Sequence, residues 1–170
     1  MIELKALSKI HVSPFYDWLN DKDSIRYSLS AFQKINTKNE IDLWFETVLE
    51  DKIGLNLGIF LKDSNQLIGY AGICNISNSN LSGEYFIFIG DKSKWGKGIG
   101  AEVTKQILKI AFLGKGLNRL MLSVSETNIG GIKAYQKAGF ISEGKYRQAC
   151  FRDGKFHDKI IMSVLKEEYL

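Results

Sequence analysis

Trp95-Gly96-Lys97-Gly98-Ile99-Gly100 separates an apolar, partly β-branched run ending at Ile89 from a stretch in which Ile99, Val103, Ile107, Ile110 and Ala111 recur at helical spacing. A strand pattern, a glycine-rich turn and a helix pattern in that order form most of a crossover unit, and the apolar run over 117–124 supplies the returning strand. Crossovers join parallel neighbours, so the strands over 83–89 and 117–124 are predicted to lie side by side and run the same way. The turn then sits beyond the carboxyl end of a strand, a common position for ligands. Its glycines allow close backbone approach, and the first N–H groups of the following helix are unpaired and point outward, so it is suited to a diphosphate. The spacing excludes two other nucleotide loops. No Gly-Lys-Ser or Gly-Lys-Thr closes it as in a P-loop, and Ala101, Glu102 and Val103 follow where Gly-x-Gly-x-x-Gly would continue.

The remaining pattern surrounds this unit with antiparallel structure. Ile2, Leu4 and Ala6 alternate as a strand, and Phe15, Trp18 and Leu19 mark a short helix starting near Pro14. Thr37-Lys38-Asn39-Glu40 has the form of a capping box, followed at helical spacing by Ile41, Trp44, Phe45 and Val48, which predicts a helix over 38–50. Strands over 55–61 and 67–76 flank the polar turn Lys62-Asp63-Ser64-Asn65-Gln66, and the strand over 83–89 follows an Asn/Ser-rich loop, giving a meander. A helix over 129–137 precedes two strands, 141–151 and 155–165, around Arg152-Asp153-Gly154. The expected class is α+β: a mixed, mostly antiparallel sheet of about seven strands, helices on both faces, and one parallel pair flanking the glycine turn. The length of 170 residues suits a single domain, 1–170.

Charge narrows the partners. The net charge of +4 is spread without a run of basic residues, which suits an anionic cofactor and falls short of the basic stripe of a nucleic-acid binder. Cys74 and Cys150 have neither metal-ligand nor redox spacing and are expected to be buried thiols, with no metal site. His11 and His157 join no triad. No apolar stretch reaches bilayer length, and the first residues lack the apolar core of a signal peptide, so no membrane association and a cytoplasmic location are expected.

The turn resembles the coenzyme A pyrophosphate loop of the GNAT acetyltransferase family, Gln/Arg-x-x-Gly-x-Gly/Ala, with Gly98 and Gly100 on the small positions. Trp95 stands where Gln or Arg is usual. A second block, Asn128 through Phe140, resembles the family's Asn-x-x-Ala-x-x-x-Tyr-x-x-x-Gly-Phe segment. It matches at Asn128, Tyr135 and Gly139-Phe140, with Gly131 on the Ala position. Arg147, Phe151 to Lys155 and Asp158 to Met162 resemble the final hairpin of the branch that includes ribosomal-protein N-terminal, polyamine and nucleotide-sugar acetyltransferases. The resemblance implies a GNAT-like fold and acetyl-CoA as acyl donor. It implies phosphates held by Trp95, Gly96, Lys97, Gly98, Ile99 and Gly100, the pantetheine arm along Ile87 and Ile89, and further contacts from Asn128, Tyr135 and Lys137. Tyr135 would protonate the leaving thiolate.

An attacking amine must be neutral, so a base or a water relay must take its proton. Glu84 on the strand before the turn and Glu126 just past the returning strand are the two carboxylates in position. Ser123 stands where some protein N-terminal acetyltransferases carry a catalytic Glu. The expected acceptor is a small-molecule amine, a nucleotide-linked amino sugar first and a polyamine or protein N-terminus as the alternatives. A noncatalytic acyl-CoA sensor would keep the glycine turn and Asn128, but it has no need of Tyr135. The unpaired edge of the final hairpin is suited to forming a homodimer.

Overall fold

The computed structural model describes all 170 residues, Met1 to Leu170. Strand β1 (Ile2–Ala6) is followed by three helices, α1 (Ser13–Trp18), α2 (Lys22–Ile25) and α3 (Lys38–Glu50), and then by the meander β2 (Leu55–Leu61), β3 (Leu67–Ser77) and β4 (Ser82–Ile89). Helix α4 (Ile99–Lys109) crosses to β5 (Arg119–Ser125), helix α5 (Ile129–Ala138) leads to the hairpin β6 (Ile141–Arg152) and β7 (Lys155–Leu165), and the short α6 (Lys166–Tyr169) ends the chain. The seven strands form one sheet in the order β1-β2-β3-β4-β5-β7-β6, antiparallel throughout except for β4 and β5. This is the mixed sheet with one parallel pair that the sequence pattern predicts.

Local chemistry explains the boundaries. Pro14 fits the first turn of α1 because no carbonyl there needs its missing N–H. At α3 the Thr37 hydroxyl accepts from Glu40 N at 3.2 Å, and the Glu40 carboxylate accepts from Thr37 N at 3.3 Å, satisfying two free donors. Alternation along β4 divides the core: Tyr85, Ile87 and Ile89 pack toward α4, whereas Phe86 and Phe88 face an aromatic cluster of Phe15, Phe32, Phe45 and Tyr70 beneath α1 and α3.

Two expectations are corrected. The returning strand begins at Arg119, because Leu117 is drawn into the core instead of the ladder; Leu117 N donates to Ala111 O at 3.0 Å across a wider helical turn, Ile110–Gly114. Of the two cysteines only Cys150 is buried; Cys74 is half-buried where β3 nears its end. No helix is long and apolar enough to cross a membrane.

One feature of the sheet creates the site. β4 and β5 pair only at Ser82 with Arg119, Gly83 with Leu120 and Glu84 with Met121. Beyond these positions β4 stays with β3 as far as Ile89, and β5 stays with β7 as far as Ser125. Each strand keeps its outer partner while the inner edges part, leaving a V whose backbone polar groups have no strand across from them.

Candidate active site

Two cavities meet in the V. The larger, about 640 Å³, is lined by residues 87–89 of β4, the glycine turn with the start of α4, residues 127–131, and one face of α5. The smaller, about 210 Å³, lies toward the closed end of the V and takes its walls from residues 26–30, Cys74, residues 84–87 and 122–125, and the β6–β7 hairpin. Tyr27, Ser28, Ile87, Asn128 and Tyr135 line both.

The glycine turn is held from both ends. Asp91 caps the short turn Lys92–Lys94 by accepting from Ser93 N at 3.0 Å, and the Trp95 indole N–H donates to Ile89 O at 2.9 Å, tying the turn to the end of β4. Trp95 therefore contributes an anchor where a polar side chain is usual. Gly96 and Gly98 have φ of +71° and +80°, and nothing lies within 4 Å of where a Cβ would sit on either. Glycine is needed there for conformation, and the space it leaves faces the cleft. The first amides of α4 have no carbonyl partners within the helix and carry its positive end. Glu102, an anion in this same first turn, is directed at β1, where its carboxylate accepts from Ile2 N at 3.4 Å. Beneath, Thr104 donates to Gly100 O at 2.6 Å and bonds the buried Tyr85 hydroxyl at 3.0 Å, fixing α4 on β4.

Across the V, Asn128 caps α5 by accepting from Gly131 N at 3.0 Å. A Cβ on Gly131 would come within 2.5 Å of Asn128 Nδ2, so the alanine usual at this position would require the Asn128 side chain to shift. The Tyr135 ring meets Tyr85 edge-on at 6.0 Å and Phe140 at 6.0 Å. Burial pushes its phenol up to about 12, so it keeps its proton at neutral pH and is a donor. Tyr135, with its phenol protonated, thus lines both cavities.

Glu84 lines the smaller cavity, half-buried, and accepts from Asn75 Nδ2 at 2.7 Å. The neighbouring Cys74 thiol is pushed up to about 11, mainly by burial and further by the Glu84 charge, which makes it a poor nucleophile. Glu126 lines neither cavity. Its carboxylate accepts from Asp158 N at 3.1 Å while Glu126 N donates to Asp158 O at 3.0 Å, a reciprocal clamp joining the end of β5 to β7. Lys97 is also outside both cavities. The other expected residues, Ile87, Ile89, Trp95, Gly96, Gly98, Ile99, Gly100, Asn128, Tyr135 and Lys137, line the larger one.

Some lining residues carry no distinct sequence signal. Lys133 lies one turn before Lys137 on the same face of α5, and Lys94 precedes the glycine motif. Tyr27 arrives from a distant segment and bridges the V, its hydroxyl donating to Thr127 O at 3.3 Å. The larger cavity can take an anionic, partly apolar cofactor: free helix amides and three lysines, Lys94, Lys133 and Lys137, lie around one end, and Ile87 and Ile89 line the strand leading to Tyr135.

Comparison with known proteins agrees with this geometry. The family model described as an acetyltransferase (GNAT) domain matches residues 2–141. An uncharacterized N-acetyltransferase of Bacillus subtilis (strain 168), YoaA, is 26% identical over 86% of this chain and 82% of its own length. The spermidine N(1)-acetyltransferase of Vibrio cholerae is 25% identical, over 79% of this chain and 85% of that one. A crystal structure of spermidine N-acetyltransferase from Vibrio cholerae in complex with CoA and spermine superposes with a TM-score of 0.88, covering 99% of this chain and 97% of that one. Its 21% identity establishes a common fold.

Proposed function

Because this chain belongs to the GNAT acetyltransferase family and is an acetyl-CoA dependent N-acetyltransferase, we propose that it transfers the acetyl group straight to a primary amine in a ternary complex, with Tyr135 as proton donor to the departing thiolate. The observation that carries this reading is Tyr135, with its phenol protonated, lining both a cofactor-sized cleft and a smaller acceptor-sized cavity. Acetyl-CoA supplies an acyl group already activated as a thioester. The chain supplies everything else. Amides of residues 96–100, helped by Lys94, Lys133 and Lys137, hold the phosphates. The free inner edge of β4 at Ile87 and Ile89 aligns the pantetheine arm and presents a backbone N–H to the carbonyl oxygen as negative charge grows there. Asn128, whose Oδ1 is used in capping, lines the same cleft and keeps its amide N–H groups as donors for the arm.

Glu84, the one carboxylate lining the acceptor cavity, receives the proton of the incoming ammonium directly or through water. Glu126 is occupied in the β5–β7 clamp and has no part in this step. No acyl-enzyme is required, and the raised Cys74 thiol is unsuited to forming one.

The acceptor is a small amine, with a nucleotide-linked amino sugar as the first reading. The spermidine acetyltransferases among the relatives favour a polyamine as the second. β6 is an edge strand with its outer side unpaired, which supports pairing with a second copy. The test is thiol release from acetyl-CoA with a panel of nucleotide amino sugars, polyamines and peptides. Turnover with at least one class is expected; cofactor binding without thiol release from any of them would mark a sensor instead.

A further inference from the structure

We propose that the acceptor carries an oxyanion, phosphate or carboxylate, close to its amine, and that Arg152 and Lys159, with Arg26 at the rim, receive it; this rests on the transferase reading above. The acceptor cavity is lined by one carboxylate, Glu84, against three cations, Arg26, Arg152 and Lys159. Asp153 offsets Arg26 at 3.4 Å, but neither Arg152 nor Lys159 belongs to an ion pair. The walls therefore hold an excess of positive charge, which would repel the additional ammonium groups of a polyamine.

Arg152 gives the sharper indication. Its Nη1 donates to Phe151 O at 2.9 Å, while its Nε is enclosed and bonds nothing in the protein. A cavity-lining arginine without an ion-pair partner suits an oxyanion, because the planar guanidinium can present paired N–H groups to it. A local irregularity supplies this placement. β6 pairs with β7 at Tyr146 with Lys159 and next at Cys150 with His157, so residues 147–149 stand opposite Asp158 alone. Gln148 takes a φ of +50° and donates its N–H to the Asp158 carboxylate at 2.8 Å. Past this bulge Cys150 turns inward, 7% exposed, and Arg152, two residues on, points to the same face and lines the same cavity. At about 210 Å³ the cavity suits the amine-bearing end of an acceptor together with one oxyanion, with any larger remainder extending outward.

The test compares initial rates of thiol release for 2-aminoethyl phosphate, β-alanine, ethanolamine and spermidine at saturating acetyl-CoA. One of the two anionic amines should exceed ethanolamine in kcat/KM by about tenfold or more, the better one telling phosphate from carboxylate, with spermidine poorest. Arg152→Gln and Lys159→Gln should each cost the anionic acceptor about tenfold more than ethanolamine. A preference for ethanolamine or spermidine, or equal losses across acceptors, overturns the inference and leaves the transferase reading standing. No release of thiol with any of the amines, while coenzyme A binds, overturns both. Inorganic phosphate provides a check on the unaltered protein: it should compete with the amine when acetyl-CoA is saturating, and absent or noncompetitive inhibition counts against the subsite.

Discussion

The cofactor cleft and the acceptor cavity share Tyr135, Asn128 and Ile87, yet they are made of different material. The cleft is largely backbone: glycines at positive φ, the amide end of α4 and the open edge of β4, from two main stretches of chain with a small contribution from residues 24–28. The cavity draws its lining from separate segments, with Glu84, Arg26, Arg152 and Lys159 among them. A site built on backbone conformation has few ways to vary, whereas one built on side chains can change its ligand through single substitutions. This difference suits an enzyme type in which the donor is common and the acceptor is particular.

Substitutions should therefore separate the two halves, and the largest effect belongs to Tyr135, one of the residues they share. Tyr135→Phe should lower kcat by about 100-fold or more while changing the acetyl-CoA dissociation constant little, because the hydroxyl acts in the transfer and the ring remains. Steady-state rates with calorimetry on the same protein check both halves of that statement. The raised phenol adds a pH signature. In the proposed acid role it acts protonated, so its contribution should persist through pH 10, where an unshifted tyrosine would be half ionised, and disappear as pH approaches about 12.

Glu84→Gln should lower kcat/KM for the amine by about 30-fold near neutral pH and leave cofactor affinity unaffected. The deficit should narrow at higher pH, where the amine is already neutral; a deficit constant with pH would argue that Glu84 only supports the cavity wall. Gly98→Val acts in the opposite half. At φ +80° a β-branched residue is strained by about 1–3 kcal/mol, so coenzyme A binding measured by calorimetry should weaken by about tenfold, with amine preference unchanged. Trp95→Ala should have the smallest effect, about threefold on the same affinity, because it removes one exposed anchoring hydrogen bond to Ile89 O. A Trp95 effect matching or exceeding that of Gly98 would mean that the indole contacts the cofactor directly.

The same contrast explains what the sequence reveals. The parallel pair, the meander and the α3 capping box follow from periodicity and turn chemistry within short windows, as do the glycine turn and the Asn128–Tyr135 spacing. Leu117 is misread because an apolar residue before a strand looks like part of it, and only the wider turn at Ile110–Gly114 reveals its place in the core. Glu126 sits at a suggestive distance from Asn128, but its direction is set by Asp158 on a strand 32 residues away. Tyr27, Arg26 and Arg152 reach the V through tertiary contacts and a bulge that no local pattern announces.

Direct transfer between the two cavities is tested most simply by varying acetyl-CoA against the best amine acceptor and following thiol release, together with the mass of the protein incubated with acetyl-CoA alone. Intersecting double-reciprocal lines and an unmodified protein are the expected result. Parallel lines accompanied by an acetyl group on the protein, at Cys74 above all, would contradict it.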